Sequence, residues 1–148
     1  MGLLTGLPGC NSECMDTRSQ LFATHNGLVR TSELLGIGMD TEMIRWARNY
    51  RSIIHVRQGW WALPGTDETL LRAWRAGGRL ACVSALAFHG GSLDLGERLH
   101  VEVPEHSSRA TTPGVVVHWS RDQANGDRRA VSVEVAWRQT VTCRGVYA

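Results

Sequence analysis

The order of chain breakers and apolar periods between residues 28 and 65 constrains this chain more than anything else in it. Thr31-Ser32-Glu33-Leu34-Leu35 has hydroxyls at its start and an acid in its first turn, as a short helix requires, and Gly36 and Gly38 stop it. Leu34 and Leu35 are both expected inward, with Ile37 plugging the core from the glycine turn. Asp40 or Thr41 then caps a second segment, where Met43, Ile44 and Ala47 recur near helical spacing and make one buried stripe. Ile53, Ile54 and Val56 read as a strand, Arg57-Gln58-Gly59 as a turn, and Trp60-Trp61-Ala62-Leu63 as the returning strand, closed by Pro64-Gly65. Two helices joined by a tight turn and followed by a hairpin form a winged helix-turn-helix, a shape that lays one helix in a DNA groove with a wing beside it.

The flanking residues complete an α+β plan. Residues 1–14 hold three glycines and a proline without a period and are expected to be a flexible leader, so Met15 is a candidate start. Asp16 or Thr17 caps a helix that carries Leu21 and Phe22 inward and ends at Asn26-Gly27. Beyond Gly65, Thr66 or Asp67 caps a helix with Leu70, Leu71 and Trp74 on one side, and an apolar helix follows over residues 80–88. Strands are expected at 99–103, 114–119 and 131–137; in the last, Val131, Val133 and Val135 alternate with Ser132, Glu134 and Ala136. The expected organisation is a winged helix-turn-helix over 15–65, then a small mixed α/β domain over 66–148 with a mainly antiparallel sheet, serving dimerisation or partner binding.

Composition removes several alternatives. With 43% hydrophobic residues in 148, the chain can bury a core. No apolar run approaches the roughly 20 residues of a membrane span, and the N-terminus lacks a basic leader. A cytoplasmic protein with no membrane partner is expected. All 16 basic residues are arginine. Without lysine there is no Schiff base, no P-loop lysine and no lysine-dependent nuclease core. The net charge of +2 says little about nucleic acid, but Arg45, Arg48, Arg51 and Arg57 follow one another with no acid between them.

That run supplies the candidate site. Arg45, Arg48 and Asn49 fall off the buried stripe and Arg51 lies just beyond it; arginine pairs bidentately with guanine and asparagine with adenine. Thr31, Ser32 and Thr41 stand at helix starts, where a hydroxyl caps the helix or holds a phosphate. Arg57 is expected at the wing tip, against the phosphate backbone or in the minor groove. A merely solvated helix face would carry the same residues. Of Trp60 and Trp61, one is expected in the core and the other exposed. The cysteines do not read as a metal site: Cys10 and Cys14 are paired in sequence, but Cys82 and Cys143 are each alone, whereas structural zinc usually draws on two close pairs. Reduced thiols, no metal and no cofactor are expected. His89, His100, His106 and His118, with Asp94, Glu97, Glu102 and Glu134, match no catalytic motif; His100 and Glu102 read as a surface pair. No enzymatic role is expected.

The stretch Gly27-Leu28-Val29-Arg30-Thr31-Ser32-Glu33-Leu34, the glycine turn, the Ile44-Arg45 helix and Val56-Arg57-Gln58-Gly59-Trp60-Trp61-Ala62-Leu63-Pro64-Gly65 together resemble the AbiEi-type antitoxin and transcriptional-regulator family of actinobacteria and their phages. Trp61 stands where that family commonly has tyrosine. Ser84-Ala85-Leu86-Ala87-Phe88-His89-Gly90, Leu99-His100-Val101-Glu102-Val103-Pro104 and the segment from Pro113 to Asp122 are similar to the family's later segments, so the resemblance spans about residues 15–140. It implies a DNA-binding autorepressor, in some members paired with a nucleotidyltransferase toxin. The expectation is therefore a sequence-specific repressor, antitoxin-like or phage-encoded, that binds double-stranded DNA as a homodimer, with a toxin as a further partner in the antitoxin version. The alternative is a protein-interaction module that binds a toxin or other protein without DNA.

Overall fold

The computed structural model describes residues 12–90, 98–105, 107 and 113–143, with side chains from Asp16 onward. The chain divides into two compact units, with the boundary between Thr66 and Asp67. Both mix helices with a three-stranded sheet, so the fold is α+β.

The first unit runs α1 (Ser12–Thr24), β1 (Leu28–Arg30), α2 (Thr31–Gly36), α3 (Thr41–Asn49), β2 (Ile54–Arg57) and β3 (Trp60–Ala62). Helix α1 starts before the expected cap and takes in residues assigned to the leader, because Ser12-Glu13-Cys14 offers no glycine or proline to stop it and puts an acid in its first turn. The rest of that leader, residues 1–11, lies outside the described residues. Strand β1 was not expected; three residues between Gly27 and α2 are too few to show a period. It makes β3 the central strand, in the order β1-β3-β2, with both pairings antiparallel. Phe22, Val29, Leu34, Met39, Ile44, Ala47, Ile53 and Trp61 form the core under it, and Ile37 packs against that core from the turn. Leu35 does not join it and is 46% exposed. Adjacent helical residues point about 100° apart, so Leu34 and Leu35 cannot share one narrow buried stripe.

Both ends of α3 are fixed. The Asp40 carboxylate accepts the Met43 N–H at 2.8 Å, so Asp40 is the cap and Thr41 the first helical residue. At the far end Arg51 adopts φ 57°, its N–H donates to the Arg48 carbonyl, and the Ser52 N–H donates to the Ala47 carbonyl. These two bonds satisfy carbonyls that the helix leaves open, in the manner of a Schellman motif. The Ser52 hydroxyl also donates to the Ala47 carbonyl and accepts from Arg18, an α1 arginine that is buried.

The second unit runs α4 (Glu68–Arg75), β4 (Arg79–Leu80), α5 (Cys82–His89), β5 (Leu99–Pro104), β6 (Val115–Ser120) and α6 (Val133–Thr142). Its sheet order is β4-β5-β6. Among the described residues, three of the four pairings between these strands are antiparallel; the fourth, β5 with β6, is parallel and six residues long. A Cβ on Gly78 would stand 1.9 Å from the Glu102 carbonyl oxygen, so only glycine lets β4 approach β5 this closely. The expected strand over 131–137 is instead the start of α6. The residues just before it bridge to the sheet at Leu80, whose N–H donates to the Arg129 carbonyl and whose carbonyl accepts the Val131 N–H. The Ser132 hydroxyl accepts the Val135 N–H and Glu134 sits in the first turn, so the cap overrides a valine alternation that is too short to specify a strand.

Strand β5 is buried on both faces, and Leu80, Leu99, Val101, Val103, Val131 and Ala136 make the core around it. The expected surface pair is thus internal: both His100 and Glu102 are buried. Glu102 receives Arg79 at 2.9 Å, Gln123 at 3.3 Å and Gln139 at 3.0 Å, while Arg79 also donates to the carbonyls of Asn125 and Asp127. No helix among the described residues is long and apolar enough to cross a membrane.

Candidate nucleic-acid interface and a buried histidine–cysteine cluster

In the first unit, α3 buries Ile44 and Ala47 and leaves Thr41, Arg45, Arg48 and Asn49 exposed. Arg45 is 67% exposed and lies 3.5 Å from Glu42, one turn earlier. An exposed pair of this kind contributes little in water and releases readily to a stronger anion. The Arg48 guanidinium lies 6.0 Å from the centre of the Trp61 ring, which brings the last turn of α3 beside β3. Trp46 is half-buried and stacks on Tyr50 at 5.4 Å.

The hydroxyls at the start of α2 do not cap it. The cap position is Arg30, whose N–H donates to Glu33 at 2.7 Å, and Glu33 also pairs with His25 at 2.9 Å. Thr31 is half-buried and accepts the Trp61 indole N–H at 2.8 Å, which fixes the start of α2 to β3. Ser32 and Thr41 are exposed.

Trp60 is half-buried and Trp61 buried, the alternation expected of a strand with one covered face. Arg57 is not in the turn. It ends β2, half-buried, and the tip is Gln58-Gly59. Because β3 is central, Trp60 lies opposite Arg30 on one side and Arg57 on the other. Their guanidinium carbons stand 4.8 Å and 5.1 Å from its ring centre. The face of an indole attracts a cation, and a stacked guanidinium keeps its in-plane N–H groups directed outward. Arg30 had no sequence signal, because it joins the site only through β1. Arg51 is exposed beyond α3.

In the second unit the structure joins four residues that the sequence keeps apart. Cys82 opens α5, His100 lies on β5, His118 on β6, and Cys143 directly follows α6. Their ligand-type atoms all lie within 4.8 Å of one another. His100 Nδ1 is 3.1 Å from His118 Nε2, and Cys143 Sγ is 3.6 Å and 3.5 Å from those two nitrogens. Cys82 and Cys143 are free cysteines, each alone in the sequence, and strand pairing and helix packing bring together what chain spacing does not show. Cys10 lies outside the described residues, as does the Cys14 side chain.

Burial sets the charge states in this cluster. It holds His100 down to about 4, with the charges of His118 and Arg98 adding to the effect, and it lowers His118 as well. Burial pushes the Cys82 thiol up to about 11; the Val83 backbone hydrogen bond opposes this and Cys143 reinforces it. Near neutral pH the two imidazoles carry no charge. Of the other histidine and acid candidates, His89 bonds the Val131 carbonyl at 2.7 Å, Glu134 lies in the first turn of α6, and His106, Asp94 and Glu97 lie outside the described residues. Compared with known proteins, the chain matches no family model and no curated sequence.

Proposed function

We propose that the first unit is a winged helix-turn-helix, and that the chain is a transcriptional repressor that occupies an operator in double-stranded DNA. The observation that carries this reading is α3, which buries an apolar stripe and leaves Arg45, Arg48 and Asn49 in water. With its side chains an α-helix is about 10–12 Å across, which fits the width of about 12 Å of a major groove. The Arg30–Trp60–Arg57 stack supplies two ordered cations for phosphates beside it. In this reading the chain works in the cytoplasm, and Thr31, Ser32, Thr41 and Arg51 are supporting contacts at helix ends.

A homodimer belongs to the reading, because one recognition helix covers few base pairs. Helix α6 supports it: Val133, Trp137 and Val141 are 42%, 60% and 78% exposed at four-residue spacing. The stripe is symmetric about Trp137, so a twofold axis there would set Val133 against the second copy's Val141. The same stripe favours the alternative reading, in which it receives a toxin or another protein and DNA is not bound.

Binding to the DNA upstream of its own gene, followed against salt, separates the two. The repressor reading expects a sequence-dependent affinity that falls steeply with salt. Simultaneous Arg45→Ala, Arg48→Ala and Arg57→Ala should abolish it with the fold intact. Unchanged operator binding in that variant overturns the site assignment, and no sequence preference at any salt overturns the repressor.

A further inference from the structure

We infer that Cys82, His100, His118 and Cys143 are the four ligands of a structural zinc ion in the second unit. The distances among three of the ligand atoms carry this, and Cys82 Sγ lies within 4.8 Å of all three. Tetrahedral zinc with Zn–S near 2.3 Å and Zn–N near 2.0–2.1 Å sets sulfur and nitrogen about 3.6 Å apart and two nitrogens about 3.3 Å apart. Cys143 Sγ lies 3.6 Å and 3.5 Å from the imidazole nitrogens, and those nitrogens are 3.1 Å apart. Hydrogen bonds alone account poorly for the triangle, since one proton between the rings uses the donor of one nitrogen and the lone pair of the other and leaves the Cys143 thiol, 3.6 Å and 3.5 Å from them, without a partner there. A cation at the centre satisfies every lone pair.

The donor set selects the metal class. Two sulfurs and two imidazoles in a tetrahedral arrangement suit zinc and exclude calcium and magnesium, which take oxygen. Cys82, His100 and Cys143 are buried and His118 is half-buried. Four protein ligands leave no position for substrate water, so the site is structural.

The scaffold holds the ligands from outside the cluster. The Ser84 hydroxyl accepts the His100 backbone N–H at 2.9 Å, which ties α5 to β5 beside the site. Cys82 has φ 52°, a conformation that an L residue keeps only where its surroundings impose it. Here Gln139 does so: its carbonyl oxygen accepts the Cys82 N–H at 2.9 Å, and its amide donates to Glu102 at 3.0 Å. Bound zinc would link the start of α5, both parallel strands and the residue after α6 at one point.

Elemental analysis of the full purified chain tests the assignment, with about one zinc per chain expected. Cys82→Ser and Cys143→Ser should each lose most of it, and the Cys10→Ser/Cys14→Ser double variant should keep it. Cobalt(II) exchanged into the wild-type chain should show the intense visible bands of tetrahedral coordination and a sulfur-to-cobalt charge-transfer band. In His118→Cys the metal should remain and that band strengthen, which separates ligation from a mere folding defect. A folded, reduced chain with neither zinc nor a cobalt spectrum overturns the inference. So does zinc that follows Cys10 and Cys14, or a Cys82–Cys143 disulfide in a chain that takes up no metal once reduced.

Discussion

Glu102 on β5 holds Arg79 on β4 at 2.9 Å, with both side chains buried and neither strand at liberty to separate them. A buried pair contributes little net stability when complete, but removing one partner strands the other charge at a cost of about 3–5 kcal/mol. Glu102→Ala and Arg79→Ala should each destabilise the second unit by about that much. The double variant should fall short of their sum, because the stranded charge is gone. Urea unfolding of the four chains closes the cycle; strict additivity would show that the pair does not act as one.

Arg51 sits at φ 57°, where its Cβ crowds the backbone and glycine does not. Arg51→Gly should therefore stabilise the first unit by about 0.5–1 kcal/mol, provided that the hydrogen bonds ending α3 survive. The same change removes a proposed DNA contact, so operator affinity should fall as stability rises. Urea unfolding and fluorescence anisotropy on one preparation read both quantities, and a loss of stability would contradict the geometry at the end of α3.

The first unit was legible because local signals agreed there. Gly36 and Gly38 break the helix, Asp40 caps the next one, and Gly59 turns the hairpin, each acting within a few residues. The second unit misled where signals conflicted or were not local. At residues 131–137 three alternating valines outweighed the Ser132 cap, although the cap governs. His100 and Glu102 looked superficial because period two assigns residues to faces without saying that both faces are covered. The Cys82, His100, His118 and Cys143 cluster had no signal at all, since its spacing exists only after β5 pairs with β6 and α6 brings up Cys143.

Asp127 makes stability depend on pH. Burial raises its carboxyl, but hydrogen bonds and charge from Arg129, with the Ala130 backbone, outweigh this and hold it below its ordinary 3.8. The Arg129 guanidinium lies 2.7 Å away. A depressed folded-state pKa contributes stability that is present above the unfolded value and is lost as pH falls through the folded one. The side chains are 32% and 37% exposed, so water screens the pair and its contribution should stay at or below about 1 kcal/mol. Asp127→Asn should lower the unfolding free energy at neutral pH by that amount, and the difference from wild type should shrink as pH falls below the ordinary 3.8. A difference that stays constant with pH would assign the effect to packing rather than charge.

Trp60 makes a separable prediction about the β2–β3 hairpin. It lies between Arg30 and Arg57 because β3 is central, and an aliphatic side chain would keep its apolar contacts without offering a face to either cation. Trp60→Leu should cost about 1 kcal/mol or less in stability, since Trp60 is half-buried while Trp61 carries the core contacts. With the stack gone, each guanidinium must be ordered on binding, and that entropy opposes association. Operator affinity should drop several-fold. The slope of log affinity against log salt should hardly change, because the same number of phosphates is neutralised. Arg57→Ala should reduce that slope as well. If Trp60→Leu binds as tightly as wild type, the stack orders the free protein without contributing to recognition.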